Sequence, residues 1–328
     1  MNPLSVSERH FHTPGARESF ILCGLIVVWL AVTALFVGLR AEHIMLAVLV
    51  AVMFFSCSSS RRLAIALLPF LVFGISYDWM NIVPNYEVNT VDTAGLYNTE
   101  KRLFGIAAAG GTLTPNEWFA LHTNPVADIL AGLFYLCWVP VPIIFGLWLY
   151  FTGRQKLYLH FALVFLLVNL IGFAGYYIHP ATPPWYIASH GFEAIPGTPG
   201  EVAGLGAFDS MTGLGIFHGL YARNANVFAA VPSLHSAYTL VAFLYSLHLR
   251  KSTGWKVALA VITVGIWTSA VYTSHHYLID VLLGIACAFA GYLLFEKGLM
   301  RIAGFRRFID RYAAYISKKS KTPTHDKR

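Results

Sequence analysis

Charge is what this sequence has least of. Only 12% of its 328 residues are charged, while 57% are hydrophobic; a soluble domain carries about 25% charged residues. The shortage excludes an ordinary soluble globular domain and points to a chain that crosses a membrane several times. Cysteine is scarce as well. Cys23, Cys57, Cys137 and Cys287 lie in or beside apolar runs without metal-type spacing, so they read as buried small hydrophobes. There is no internal repeat, and no low-complexity segment apart from a polar tail, expected to be disordered after about residue 316. A cleavable leader is not expected either: the first apolar run is about 20 residues long and starts late, as a retained span does.

What the chain has in quantity is long apolar runs. A helix needs about 20 residues to cross a hydrocarbon core of roughly 30 Å. Eight runs qualify as spans, near residues 20–39, 43–56, 63–80, 127–151, 157–178, 229–249, 256–274 and 278–297. The second is short enough to be re-entrant. The expected fold class is therefore all-α, a polytopic membrane helix bundle of about eight transmembrane helices.

The net charge of +7 does not imply a nucleic-acid partner, because ten of the 23 Lys and Arg residues fall between Lys297 and Arg328, beside the last span. A basic tail in that place fixes topology and meets anionic lipid. With eight spans, nineteen of the 23 basic residues collect on the side of the N-terminus; Arg40, Lys101, Arg102 and Arg223 fall on the other. The positive-inside rule then places both termini in the cytoplasm. The long loops, about 81–126 and 179–228, become extracytoplasmic, together with the short link holding His275 and His276.

Within the first long loop, Thr114-Pro-Asn-Glu117 combines an N-cap threonine, a proline at the first helical position and a glutamate three residues after the cap. That is a capping box. It predicts a short helix at the interface, either a lid or lipid-entry wall or a plain surface helix. The second loop is irregular and rich in Gly and Pro, as binding loops often are.

Two stretches carry titratable groups where apolar residues would be expected. In "HHYLID", His276 and Asp280 are four residues apart, a spacing that shares one helix face. A carboxylate on one imidazole nitrogen fixes the tautomer and leaves the other nitrogen free. In "AVPSLHSAYTL", Pro232 suits a first helical turn, and the N–H groups of Ser233, Leu234 and His235 would then be free to meet phosphate. On the topology above both stretches face the same side, so His235, His276 and Asp280 are expected to converge on a phosphate. Ionisable groups in spans are costly and are functional candidates. Asp78 and Asp128, near span ends on that side, read as caps or headgroup contacts.

"PSLH" and "HHYLID" together resemble the second and third signature motifs of the phosphatidic-acid phosphatase type 2 superfamily. Leu234 stands where those motifs have glycine and Ala270 where they have arginine, while Ser269 keeps the serine; the first motif, K-x6-R-P, is absent. With "ATPPWY" at Ala181 to Tyr186, the pattern is similar to the inositol phosphorylceramide synthase, or aureobasidin-resistance, branch. The resemblance covers about residues 176–285 and extends loosely upstream through "EKRLFG" and "TPNEW".

The resemblance implies a six-helix phosphatase-type core at 63–298, two added helices within 1–62, a basic cytoplasmic tail at 299–328 and a phosphohistidine intermediate. It implies His276 as nucleophile, Asp280 as its orienting partner and His235 as acid, then base. Candidate substrate-binding residues are Ser233, Leu234, Arg223, His275, Trp185 and Tyr186. Arg223 is the candidate to replace the missing motif arginine, ahead of Lys101 and Arg102. No metal and no cofactor is implied. Three functions stay open: a transferase moving phosphoinositol from phosphatidylinositol to a ceramide-like acceptor, a lipid phosphatase acting on phosphatidate or isoprenoid phosphates, and a non-enzymatic lipid binder or transporter. The expected partners are the bilayer, a phospholipid donor and a sphingolipid-like acceptor, with no nucleic acid; a protein partner is not specified.

Overall fold

The computed structural model describes residues 14–222 and 226–317. Helices α1 (Ala16–Phe36) and α2 (Ala41–Ser56) lead into α3 (Ser58–Ala66) and α4 (Leu68–Trp79), a pair bent by 49°. The first long loop holds α5 (Asn85–Val88), α6 (Gly95–Phe104), a hairpin of β1 (Ile106–Ala108) and β2 (Gly111–Leu113), and α7 (Pro115–Leu121). Next come α8 (Pro125–Leu136) and α9 (Pro140–Phe151), bent by 42°, and the long α10 (Gln155–Ile178). The second loop carries α11 (Pro184–His190), α12 (Gly206–Thr212) and α13 (Ile216–Tyr221). The chain continues as α14 (Leu234–Ser246), α15 (Thr253–Tyr272) and α16 (Leu278–Leu293), then through a π turn at Leu294–Gly298 into α17 (Ala303–Ser317).

The protein is an integral membrane helix bundle. Among the described residues four helices are long and apolar enough to cross a membrane, and six spans result if each bent pair counts as one. The expected eight are not reached on length, because α2 has 16 residues and α14 only 13. At 1.5 Å per residue, α14 covers about 20 Å. Its expected start near residue 229 moves to Leu234, because Pro232 and the N-cap Ser233 precede the helix rather than opening it.

Proline makes both bends. Pro140 has no N–H to donate into α8 and restarts the chain as the first residue of α9; Pro69 does the same near the start of α4. A broken helix leaves carbonyls without partners, which lipid cannot satisfy. At the α3–α4 bend two tyrosines supply them: Tyr158 of α10 donates to the Ala66 carbonyl at 2.8 Å, and Tyr312 of α17 donates to that of Ile65.

Helix α10 is the axis of the bundle, packed by α4, α9, α14, α16 and α17. Inside it, Asn169 donates to the Phe165 carbonyl and accepts from the Tyr238 hydroxyl at 2.6 Å, so a buried amide is satisfied across the α10–α14 interface. The loops sort to opposite ends. At one end Lys156 pairs with Asp310 at 2.7 Å, joining the 152–156 loop to α17. At the other, Asn85 donates to the carbonyls of Tyr176 and Phe228, tying the first loop to the end of α10 and to the second loop.

Several details depart from the sequence expectations. Only Cys287 is buried; Cys23 is exposed on α1, and Cys57 caps α3 by accepting from the Ser60 N–H. Residues 303–317, expected as plain tail, form α17, with Ile309, Ala313 and Ile316 buried. The remaining tail, with its expected disorder, lies outside the described residues. The capping box at Thr114 and Glu117 is present and starts α7. Asp78 meets Arg40 and His43, and Asp128 accepts from the Tyr272 hydroxyl at 2.6 Å, so both tie helix ends together.

Candidate active site

The site forms where α14 and α16 begin. Ser233, the N-cap of α14, donates its N–H to the Asp280 carbonyl at 3.0 Å. Gly284 makes this approach possible: a Cβ there would collide with the Ser233 carbonyl. With the two helix starts locked together, His235 Nδ1 and His276 Nε2 come within 2.9 Å. The convergence expected from sequence is therefore present.

The route to it differs from the expected helix face. His276 precedes α16, whose N-cap is Tyr277. Asp280 reaches back as the carboxylate of a capping box, accepting from the Tyr277 N–H at 2.8 Å. The same Oδ2 lies 3.4 Å from His276 Nδ1, longer than an ordinary hydrogen bond. Asp280 thus holds the backbone beside His276 and lies behind the far side of its ring. The free N–H groups expected at α14 are also fewer: that of Ser233 is taken by Asp280, and that of Leu234 faces the Tyr176 hydroxyl.

The corner that carries the histidines is pinned from several elements. The Ala270 carbonyl accepts from the N–H groups of both His275 and His276 at 3.0 Å, and Ser274 adopts φ of +60° to make the turn. Asn116 of α7 donates to the carbonyls of Val271 and His276. Trp185 of α11 donates its N–H to the Ser274 carbonyl, and Gly204 donates to that of Thr273. Glu100 of α6, fully buried, accepts from the Leu278 N–H at 2.9 Å and the Ile279 N–H at 3.1 Å. The first turn of α16, two residues after His276, is therefore held by a carboxylate 178 residues away in sequence.

A cavity of about 360 Å³ opens onto the histidines. It is lined mainly by rings, Trp138 and Tyr135 among them, whose centroids lie 4.6 and 5.2 Å from that of His235. No Lys or Arg lines it among the described residues. Burial lowers the His276 imidazole to about 4, with the Ala230 carbonyl acting in the opposite sense. Burial, then the neighbouring His276 and His235, holds His275 well below its ordinary value. Both rings are thus neutral near pH 7, and a neutral imidazole is the form that attacks as a nucleophile.

The candidate substrate-binding residues divide. His275, Leu234 and Trp185 line the cavity. Ser233 and Tyr186 do not. Ser233 is fully buried and accepts from the Ser236 hydroxyl. The Tyr186 hydroxyl donates to the Glu193 carbonyl and accepts from the Ile195 N–H, fastening the second loop. Trp185 is buried against the cavity, so its ring is not an exposed anchor. Arg223 lies outside the described residues. Lys101 donates to the Tyr97 hydroxyl, and Arg102 is exposed on α6. Ala270, in the motif arginine's place, is packed among Tyr135, Phe217 and Val271. Glu100 and Asn116 were not singled out from sequence; the only sign of them was that "EKRLFG" and "TPNEW" extended the resemblance. Tyr135, Trp138 and Tyr221 carried no signal, since aromatic residues in apolar runs are usual.

A model of the PAP2 superfamily matches residues 111–294. A Bacteroides thetaiotaomicron protein named phosphoinositol dihydroceramide synthase is 59% identical over 304 residues, 92% of this chain and 99% of that protein. An inositol phosphorylceramide synthase of Candida albicans is 30% identical over 170 residues, 50% of this chain and 35% of that protein. The catalytic subunit of the Saccharomyces cerevisiae inositol phosphorylceramide synthase is 28% identical over 186 residues, 55% of this chain and 44% of that protein. No solved structure matches the chain. The resemblance drawn from "PSLH", "HHYLID" and "ATPPWY" is borne out at the level of both superfamily and branch.

Proposed function

The chain belongs to the PAP2 superfamily, and on that premise we propose that it is a headgroup transferase moving phosphoinositol from phosphatidylinositol to a ceramide-like acceptor, with release of diacylglycerol. The observation that carries this reading is the meeting of His235 Nδ1 and His276 Nε2 at 2.9 Å, beside an aromatic cavity, with Asp280 behind the second ring. The names of the relatives support the choice of phosphoinositol and a ceramide.

In the first step His276 Nε2 attacks the phosphodiester phosphorus. The P–N bond forms, the P–O bond to diacylglycerol breaks, and His235, entering the step as the imidazolium, gives that oxygen its proton and becomes neutral. Asp280 stabilises the positive charge that grows on the His276 ring. In the second step His235 takes the proton from the acceptor hydroxyl. The new P–O bond forms as the P–N bond breaks, and His276 returns neutral. One hard displacement becomes two easier ones, and proton transfer by a placed histidine contributes about 10²–10⁴-fold.

The same reading places both termini in the cytoplasm and the site at the extracytoplasmic leaflet, following the loop charges. Residues 63–298 form its catalytic core, with the first two helices as an addition and 299–328 as a cytoplasmic tail. Purified protein supplied with inositol-labelled phosphatidylinositol, with and without ceramide, tests it. Label is expected on ceramide only when ceramide is present. Release of free inositol phosphate as the sole product, whatever acceptor is added, would rule the transferase out.

A further inference from the structure

We infer that Tyr135, Tyr221 and His275 form a subsite that reads the hydroxyl groups of a neutral polyol, the cyclitol ring of the donor headgroup. The inference rests on the transferase reading and adds to it the group that selects the donor. The cavity lining mixes apolar and polar side chains. Phe73, Phe173 and Leu234, from α4, α10 and α14, bring apolar surface suited to lipid chains. Tyr135 of α8, Tyr221 of α13 and His275 bring hydroxyls and an imidazole.

These three side chains form a cluster of their own. The Tyr221 hydroxyl donates to that of Tyr135 at 3.3 Å. The Tyr221 and Tyr135 rings flank His275, with centroids 4.6 and 5.3 Å away. His275 Nδ1 faces the Thr273 hydroxyl at 3.1 Å. Its buried Nε2 makes no hydrogen bond of normal geometry among the described residues, although the Glu201 carbonyl is near. Tyr135 also lies against His235, so the cluster adjoins the reacting pair.

The chemistry of this cluster narrows what fits. No Asp, Glu, Lys or Arg lines the cavity among the described residues, so this part of the lining offers uncharged donors, uncharged acceptors and ring faces. An aromatic box alone also accepts quaternary ammonium groups. Paired hydroxyls and an imidazole add donors and acceptors that an ammonium methyl cannot use and a ring of hydroxyls can. A site built to bond a substrate hydroxyl discriminates strongly against analogues without it, because its own polar groups are then left unpaired.

The test uses full-length protein in nanodiscs with phosphatidylinositol, phosphatidylglycerol or phosphatidylcholine as donor. Tyr135→Phe and Tyr221→Phe each remove one oxygen and keep the ring. Each is expected to raise KM for phosphatidylinositol about tenfold, the upper end for a neutral hydrogen bond, with kcat within about threefold of wild type. Preference for phosphatidylinositol over phosphatidylcholine should fall by the same factor. Unchanged KM and preference overturn the inference; so does a loss in kcat alone, which would put the hydroxyls on the phosphoryl group instead. Equilibrium binding of phosphatidylinositol to His276→Ala protein, with and without Tyr221→Phe, reads the subsite without turnover, and equal affinities overturn it. Weaker binding by the Tyr221 variant, in a protein whose wild type transfers no headgroup, keeps the subsite and removes the transferase.

Discussion

Replacing Glu100 tests whether the position of the proposed nucleophile, His276, is set from the first loop. Its carboxylate accepts two buried backbone N–H groups at the start of α16, at 2.9 and 3.1 Å. Hydrogen bonds to a charged group contribute about 1.5–3 kcal/mol each, so Glu100→Ala removes roughly 3–6 kcal/mol of interaction and leaves both donors without a carboxylate. Part of that loss will appear as lower stability. The rest will appear as freedom of the corner that carries His276, and a displacement of about 1 Å costs on the order of 10²-fold in rate. The expected result is a folded protein with kcat for headgroup transfer down about 100-fold. KM for the donor should hold, because Glu100 does not line the cavity. Glu100→Gln keeps one acceptor oxygen and should lose about tenfold, half the effect in free energy. Exposed Glu87→Ala is the control. The assay is initial-rate transfer of labelled headgroup, with a thermal midpoint on every sample. A Glu100→Ala enzyme with kcat within about threefold of wild type and an unchanged midpoint would refute the reasoning.

Asp280→Asn should lower kcat by roughly 10²–10⁴-fold, because an amide cannot stabilise the imidazolium that the proposed mechanism forms on His276; a near-normal rate in a folded variant would remove Asp280 from the mechanism. Acid should destabilise the protein through His276, which burial lowers from 6.5 to about 4. Between those values the unfolded chain binds a proton the folded chain does not, so this stability is fully present above about pH 6.5 and is lost as pH falls toward 4. His276→Gln should flatten the acid slope of stability by up to ~1.4 kcal/mol per pH unit, read from thermal midpoints; an identical slope in the variant contradicts this. Gly284→Ala should push the starts of α14 and α16 apart, since the added carbon meets the Ser233 carbonyl. A fall in midpoint together with at least tenfold lower transfer is expected, and a variant equal to wild type in both would show that the close approach is dispensable.

The residues legible in the sequence were those whose type is costly in an apolar setting. His235, His276 and Asp280 declared themselves that way, and the capping box at Thr114 did so through its fixed spacing. Helix α10 was plain from length alone. The short α14 was not, because hydropathy does not register where Ser233 caps the helix. Glu100 was hidden for a different reason: its partners are backbone N–H groups of α16, and a backbone donor leaves no mark in side-chain sequence. Tyr135 and Tyr221 were hidden among many aromatic residues, and only the fold shows which rings face the histidines. Asp280 was found by an i,i+4 argument although His276 is not helical, since a capping box brings the same two residues together by another geometry.

The hydrogen bond from Tyr312 to Ile65 couples α17 to the α3–α4 bend, 247 residues earlier in the chain. The α3–α4 bend is made early in synthesis, yet its Ile65 carbonyl has no Tyr312 to meet until α17 has left the ribosome. The α3–α4 kink, inserted early, is therefore completed only once α17 has docked against it.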